Sequence, residues 1–265
     1  MINISMLAEE LNKKGYNVEV KNVEKNGVRK DGLLFKGHSV DPIIYPESYT
    51  YSKGLEYAMN DILESYQESL KHINKMNFDS ALNSYNNSNV YLAVQQKVEN
   101  PKYLVKDFLD LQVYLYVKID EDHSTKVTKD LVSTWDISVD EIWEDAFENT
   151  DNILNYKNLS EVLYGMDLPI DIQTQFVLSN TFGYRGASFI LFPDTLYEIY
   201  ERYGNDFYII PSSIHELLTL SEEAATPGEV REIIKEVNNS EVSEEEILSY
   251  NVYKYDHILN AVVLL

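Results

Sequence analysis

Two hydroxyls, an imidazole and a carboxylate stand close together at Ser212, Ser213, His215 and Glu216. These are the residue types of nucleophilic hydrolysis, in which a serine attacks, a histidine takes its proton and a carboxylate orients the histidine. A hydrolase-type enzyme built on these four residues is therefore one expectation. Against it, neighbours in sequence rarely point at one another, and such constellations usually assemble from distant segments. Ser213 and Glu216 also carry the Ser-x-x-Glu spacing of a helix cap, where the hydroxyl accepts from a free helix N–H and the carboxylate reaches back. That spacing favours a capped helix beginning near Ile214.

A second group is Asp120, Asp122 and His123, which could hold a divalent cation on a loop. Calcium loops need more oxygen ligands in a stricter pattern, usually with a glycine at the sharp turn. An acidic hairpin tip is the simpler expectation. The chain has no cysteine, so thiolate ligands, disulfides and a Cys nucleophile are excluded, and a reducing compartment fits. Phosphate-binding loops, the dinucleotide glycine pattern and paired histidines around a glutamate are all missing. No cofactor is expected. Gly183-Tyr184-Arg185-Gly186 holds only two glycines and reads as a turn.

Charge is the sharpest global property. The chain has 265 residues with 44 acidic and 22 basic ones, for a net charge of −22. Residues 1–50 are neutral, so the whole excess lies beyond them. Asp130, Asp136, Asp140, Glu141, Glu144, Asp145, Glu148 and Asp151 follow one another with no intervening Lys or Arg. Such a surface repels nucleic-acid phosphate and anionic lipid, and attracts basic proteins or cations. Solubility alone also accounts for acidic surfaces. Asp136, Asp140, Glu141, Glu144, Asp145, Glu148 and Asp151 are the candidate partner-binding residues. Tyrosine, at 21 residues, is the other excess, and it suits cores and interfaces alike.

The elements that must position these groups follow from periodicity. Residues 6–11 begin an amphipathic helix that Gly15 stops. Tyr16, Val18 and Val20 alternate as in a half-buried strand, Asn26-Gly27 is a tight hairpin turn, and residues 33–35 lie on the return. Ile43, Ile44 and Tyr45 form a short extended piece. Leu55, Ala58, Met59, Ile62, Leu63, Tyr66 and Leu70 make one helical stripe. Residues 74–89 are polar and hold a loop with a short helix inside it. Val113, Leu115, Val117 and Ile119 alternate as a strand. Ser138 to Glu141 is a capping box that opens a helix with Val139, Ile142, Trp143, Ala146 and Phe147 inward and the acids outward. Residues 176–178 and 187–191 read as strands. Pro193 opens a helix that Gly204 closes, residues 207–210 are a strand, and Thr226-Pro227-Gly228-Glu229 caps another helix. Ser243 to Glu246 is a further capping box before a short helix, and the tail is one or two strands. Hairpins outnumber crossovers. The expected class is α+β, with a mostly antiparallel sheet or sheets and packed amphipathic helices. The expected organisation is a single α+β domain over 1–265. Any internal boundary divides a lobe of residues 1–75 from one of residues 90–265.

Residues 1–10 show no basic region followed by a long apolar run, so no signal peptide is expected, and no stretch approaches a membrane span. Several segments resemble an uncharacterised acidic protein family, a domain of unknown function of Gram-positive, often gut-dwelling, bacteria and their mobile elements. Residues 22–33, Val40-Asp41-Pro42-Ile43-Ile44-Tyr45, Leu178-Ser179-Asn180, Gly186-Ala187-Ser188, Phe192-Pro193, residues 204–216, Val237-Asn238-Asn239 to Leu248-Ser249, and Val252-Tyr253 carry the resemblance. Residues 70–101 are the least family-like. The resemblance implies a cytoplasmic bacterial protein and brings no activity, cofactor or catalytic residue. The leading expectation is a non-enzymatic acidic interaction module that binds a basic or nucleic-acid-binding protein, without touching nucleic acid or membrane itself. In its sharper form it mimics nucleic acid and inhibits a bacterial defence system, of the anti-CRISPR or anti-restriction kind. The hydrolase and the divalent-cation-binding protein are the alternatives.

Overall fold

A computed structural model describes residues 3–38, 41–46, 52–75, 82, 84–121, 123–162 and 175–265. The chain divides into two compact units, Met1–Leu82 and Asn83–Leu265. It is an α+β fold in which every strand pair is antiparallel. Among the described residues, no helix is long and apolar enough to cross a membrane.

In the first unit, helix α1 (Ile4–Lys13) and helix α2 (Leu55–Lys75) pack on a sheet of β1 (Val18–Lys25), β2 (Val28–Phe35) and β3 (Ile43–Ile44). Asn3 caps α1 by accepting from the Met6 N–H, and the stripe expected on α2 buries Ala58, Met59, Ile62 and Tyr66. Asn26 and Gly27 both have positive φ, as a two-residue hairpin turn requires. Val18 is buried but Val20 is largely exposed, so β1 is less covered than its alternation suggests. Phe35 stacks on Tyr66, whose hydroxyl lies 2.8 Å from the His38 Nε2.

Among its described residues, the second unit holds two sheets. In the smaller, the central strand β6 (Leu111–Lys118) pairs along one edge with β4 (Val90–Gln96). Along its other edge it pairs with β5 (Val105–Phe108) and then β7 (Ser124–Lys126). All the residues of β6 up to Val117 are buried, because both faces are covered. One face carries Leu92, Val94, Val113 and Leu115, and α4 (Val139–Asp151) packs against β4. The other face carries Tyr91, Ala93, Tyr114 and Tyr116. A short helix, α3 (Lys129–Thr134), precedes α4.

The larger sheet has the order β13-β12-β10-β11-β9-β8, with β8 (Leu154–Asn158), β9 (Phe176–Asn180), β10 (Phe207–Pro211), β11 (Leu217–Ser221), β12 (Tyr253–Asp256) and β13 (Ala261–Leu264). A single turn, α5 (Leu159–Val162), follows β8. Helix α6 (Pro193–Tyr203) starts on its proline and stops at Gly204 in the left-handed region. Helix α7 (Pro227–Ser240) starts on the capping box Thr226–Glu229. Asp110, in the turn between β5 and β6, accepts from Ser249 Oγ, Asn251 Nδ2 and Tyr253 Oη at 2.8–3.0 Å and so ties the small sheet to the large one.

Two expectations are corrected. Residues 187–191 are not a strand: Gly186–Leu191 is a 3-10 helix, buried between the two sheets and touching β4, β9 and β11. Its apolar run is covered on all sides, and buried runs of that length do not distinguish strand from helix. Residues 244–246 form only one 3-10 turn, without a side-chain cap at Ser243. Strands β4, β5 and β8 are not among the expected elements, and within residues 74–89, where a loop with a short helix is expected, 76–81 and 83 lie outside the described residues.

Candidate functional site

Ser212 to Glu216 connects β10 to β11. The Ser-x-x-Glu spacing closes a hairpin here and caps no helix, which corrects the expected helix start at Ile214. The Ser213 N–H donates to the Glu216 carbonyl at 3.2 Å, Ser213 Oγ accepts from the His215 N–H at 3.0 Å, and Ser212 Oγ donates to the Glu216 carboxylate at 3.4 Å. Full pairing of β10 with β11 from Phe207–Ser221 inward leaves too few residues for a helical turn.

Four contacts then clamp this connection to its neighbours. Ile214 N–H donates to the Glu246 carbonyl, Ala187 N–H to the Ile214 carbonyl, Ser179 Oγ to the His215 carbonyl, and Arg185 N–H to His215 Nδ1. Because Nδ1 accepts from a backbone amide, the neutral ring carries its proton on Nε2, which lies 3.5 Å from Glu246 Oε1. A general base must reach the proton it takes. Neither Ser212 nor Ser213 hydrogen-bonds the imidazole; both hydroxyls are engaged within the turn. The structure brings the four residues together as a turn in which neither serine hydroxyl engages the His215 ring.

Asp120 and His123 close the β6–β7 hairpin. Asp120 Oδ1 accepts from the His123 N–H at 2.8 Å and lies 2.9 Å from its Nδ1. Asp122 lies outside the described residues. Among the described residues, no three His, Asp or Glu side chains converge as a metal site would require.

The acidic helix α4 is placed from its buried side. Ile142, Trp143 and Ala146 face inward. Thr150 Oγ1 accepts from the Leu92 N–H at 2.8 Å, and Asn149 Nδ2 donates to the Val90 carbonyl at 2.9 Å, so the helix is pinned to β4. Ser138 and Glu141 form the expected capping box, and those hydrogen bonds hold the Glu141 carboxyl below its usual range. Asp145 accepts from the Tyr85 hydroxyl at 2.6 Å, and Asp151 from Thr195 Oγ1 at 3.5 Å. Asp136 is exposed just before the helix. Asp140, Glu144 and Glu148 remain on one exposed stripe at four-residue spacing, with no cation on the helix. Val139 and Phe147 do not face inward as expected. Phe147 is 48% exposed, its ring leaning on Phe192 at 4.6 Å between centroids.

A fourth group has no counterpart among the sequence expectations. Over the tyrosine face of the small sheet lies the connection from β9 to the 3-10 helix. Phe182 packs edge-on against Tyr91, Tyr184 lies 6.2 Å from Tyr116, and the Arg185 guanidinium sits 4.4 Å from the centre of the Tyr116 ring. Arg185 adopts a positive φ of 57°, which turns its side chain onto that face. Lys126 lies over Tyr103 and Tyr114 at 4.0 and 4.3 Å and donates to Gln95. The available signal was the pair Tyr114 and Tyr116, two apart on one strand, together with an arginine between glycine-bounded turns.

Residues 3–257 match the profile described as Family of unknown function (DUF5688). No curated protein and no solved structure matches the chain.

Proposed function

We propose, for a chain that belongs to the Family of unknown function (DUF5688), a non-enzymatic role as an acidic interaction module whose α4 face binds a basic partner protein. The observation that carries this reading is Phe147. It is a large aromatic left 48% exposed, with Glu144 one turn before it, Asp151 one turn after it and Glu148 beside it. Aromatic anchors with a polar rim are the common anatomy of protein interfaces. Like charges four apart also disfavour a helix, and Glu148 and Asp151 lie at the end where the helix dipole is negative. A purely solubilising surface does not require charges in those places.

The partner is a basic protein with an apolar pocket. Along the stripe Asp140, Glu144 and Glu148, one charge recurs about every 6 Å of helix axis, whereas a DNA strand carries one about every 3.4 Å. A nucleic-acid-binding protein would therefore engage this face through fewer cations than it uses on DNA, with Phe147 supplying apolar contact that a phosphate lacks. Inhibition of a bacterial defence enzyme, of the CRISPR or restriction type, is the sharper form of the reading. It has the protein acting in the cytoplasm of a Gram-positive bacterium or for one of its mobile elements.

The test is capture from bacterial lysate with the intact chain at low and moderate salt, followed by mass spectrometry. A single stoichiometric basic protein is expected, lost both with D140K/E144K/E148K and with F147A. Retention by both variants, or loss of every protein at moderate salt, would refute the assignment.

A further inference from the structure

We infer that Tyr116, Tyr184 and Arg185 form a receptor for one oxyanion group, carboxylate or phosphate, of a small molecule. The site is separate from α4 and independent of the reading of that helix.

The inference starts from unmatched donors. Tyr116 has no exposed surface, yet its hydroxyl has no hydrogen-bond partner. The same holds for the buried Tyr184 hydroxyl and for the buried Arg185 Nη1. The two hydroxyls are near enough for Tyr116 to influence Tyr184, but they do not meet in hydrogen-bond geometry. Buried polar atoms are nearly always paired, and only a few per hundred residues are not. Here three belong to side chains that touch one another: the guanidinium lies 4.4 Å from the Tyr116 ring centre and 5.6 Å from that of Tyr184, and the two rings are 6.2 Å apart.

The chemistry of the three atoms selects the ligand. A guanidinium has donors only and no acceptor. Burial pushes the Tyr116 and Tyr184 hydroxyls above the ordinary phenol range, so both stay protonated and able to donate. Tyr114, beneath the guanidinium at 5.8 Å, is raised by burial as well. A ligand that satisfies all three must offer acceptors. It should also carry negative charge, because Arg185 meets ring faces here and no carboxylate within ion-pair distance among the described residues, Asp120 being near enough only to raise the Tyr184 hydroxyl. The covered Nη1 is left without an acceptor, and π faces compensate for that only in part. In a chain with twice as many acids as bases, that pairing is conspicuous. An oxyanion supplies two or more acceptors in the plane that a guanidinium fork recognises.

The fold holds this geometry in place. Tyr114 and Tyr116 come from the central strand of the small sheet. Tyr184 and Arg185 are fixed by the Asn180 side chain, which donates to the Tyr184 carbonyl, and by the bond from Arg185 N–H to His215. Tyr184 and Arg185 are only partly buried.

The experiment titrates the intact protein with sodium phosphate and, separately, sodium acetate, against sodium chloride at equal ionic strength. Calorimetry and thermal melting are the readouts. Saturable heat and a rise in melting temperature with at least one of the two anions are expected, and the arm that responds identifies the oxyanion. R185K should weaken binding about tenfold, the loss of bidentate hydrogen bonding to a charged group. Y116F and Y184F should each weaken it severalfold while their melting without anion stays at or above that of the parent. Should R185K fail to fold, the two Phe variants decide the matter. Absence of any anion-specific heat, or binding unchanged in Y116F and Y184F, overturns the assignment. So does a clear loss of stability in those variants without anion, which would mean that the hydroxyls serve the fold.

Discussion

The Arg185 amide donates to Nδ1 of His215 across 3.0 Å, joining the turn after β9 to the turn between β10 and β11. That bond makes the imidazole a structural acceptor. Removing it leaves a partly buried N–H without a partner, which costs roughly 1–2 kcal/mol. H215A should lower stability by about that amount in urea titration. H215N, whose Oδ1 can accept in the same place, should recover much of it. S212A and S213A should stay within about 0.5–1 kcal/mol of the parent. A fluorophosphonate probe should label neither serine, since neither hydroxyl hydrogen-bonds the His215 ring and both are held within the turn; labelling of Ser212 or Ser213 would favour the hydrolase.

Gly186 marks the closest approach of the same two turns. A Cβ there would lie 2.3 Å from Ser179 Oγ, 2.6 Å from the His215 carbonyl oxygen and 2.7 Å from Ser179 Cα. Two of those atoms are backbone and cannot swing aside. G186A should therefore destabilise by roughly 2–4 kcal/mol, the range of overpacked cores and above. Adding S179A relieves only one of the three clashes and should rescue little. Guanidinium denaturation of the single and double variants measures both.

These two positions show what the sequence could convey. Helix limits were legible where a chemical signal marks them: Ser138 with Glu141, Thr226 with Glu229, and Pro193 with Gly204 all cap as their spacing predicts. The same logic failed at Ser213 and Glu216, because strand pairing on both sides outweighs a cap spacing that is only local. Gly186–Leu191 was missed since an apolar run buried on all sides has no periodicity to read. Phe147 sits at the margin of the buried arc of α4, where one residue decides between core and surface. Arg185 and Tyr116 are 69 positions apart, and no local pattern could announce that a guanidinium from one connection would rest on a strand of the other sheet.

Asp206 is one carboxyl that should make stability depend on pH at the acid end. Burial pulls its carboxyl upward, but hydrogen bonds from Lys254 and His257 outweigh burial and hold it below the usual carboxylate range. Lys254 Nζ lies 2.9 Å from Asp206 and 2.8 Å from Glu222, and the His257 ring stacks on Tyr200. A depressed carboxyl stabilises the fold above its unfolded value, near 3.9, and the gain is lost as pH falls through the lower folded value. D206N should cost about 2 kcal/mol at pH 7, the range for hydrogen bonds to a buried charge. The gap between D206N and the parent should narrow as pH falls from about 4 toward 2, below the unfolded value. A gap that stayed constant over that range would show that Asp206 acts without its charge.

The acidic stripe on α4 predicts opposite changes in binding and stability. Asp140, Glu144 and Glu148 repel one another at four-residue spacing, and each such pair disfavours the helix by about 0.2–0.5 kcal/mol. E144K converts both pairs into attractions at once. With Asp140 the substituted side chain makes the favourable order, the acid nearer the N-terminus; with Glu148 it makes the weaker, reversed order. The variant should therefore be more stable than the parent by roughly 0.5–1 kcal/mol at low salt, and the gain should shrink as salt screens the pairs. Differential scanning calorimetry at low and moderate ionic strength reads this directly. If the face binds a basic partner, the same substitution weakens binding while strengthening the fold, so loss of binding in E144K cannot be ascribed to unfolding. A fall in melting temperature would mean that Glu144 has a local attraction stronger than these two repulsions, and the stripe would then belong to the fold.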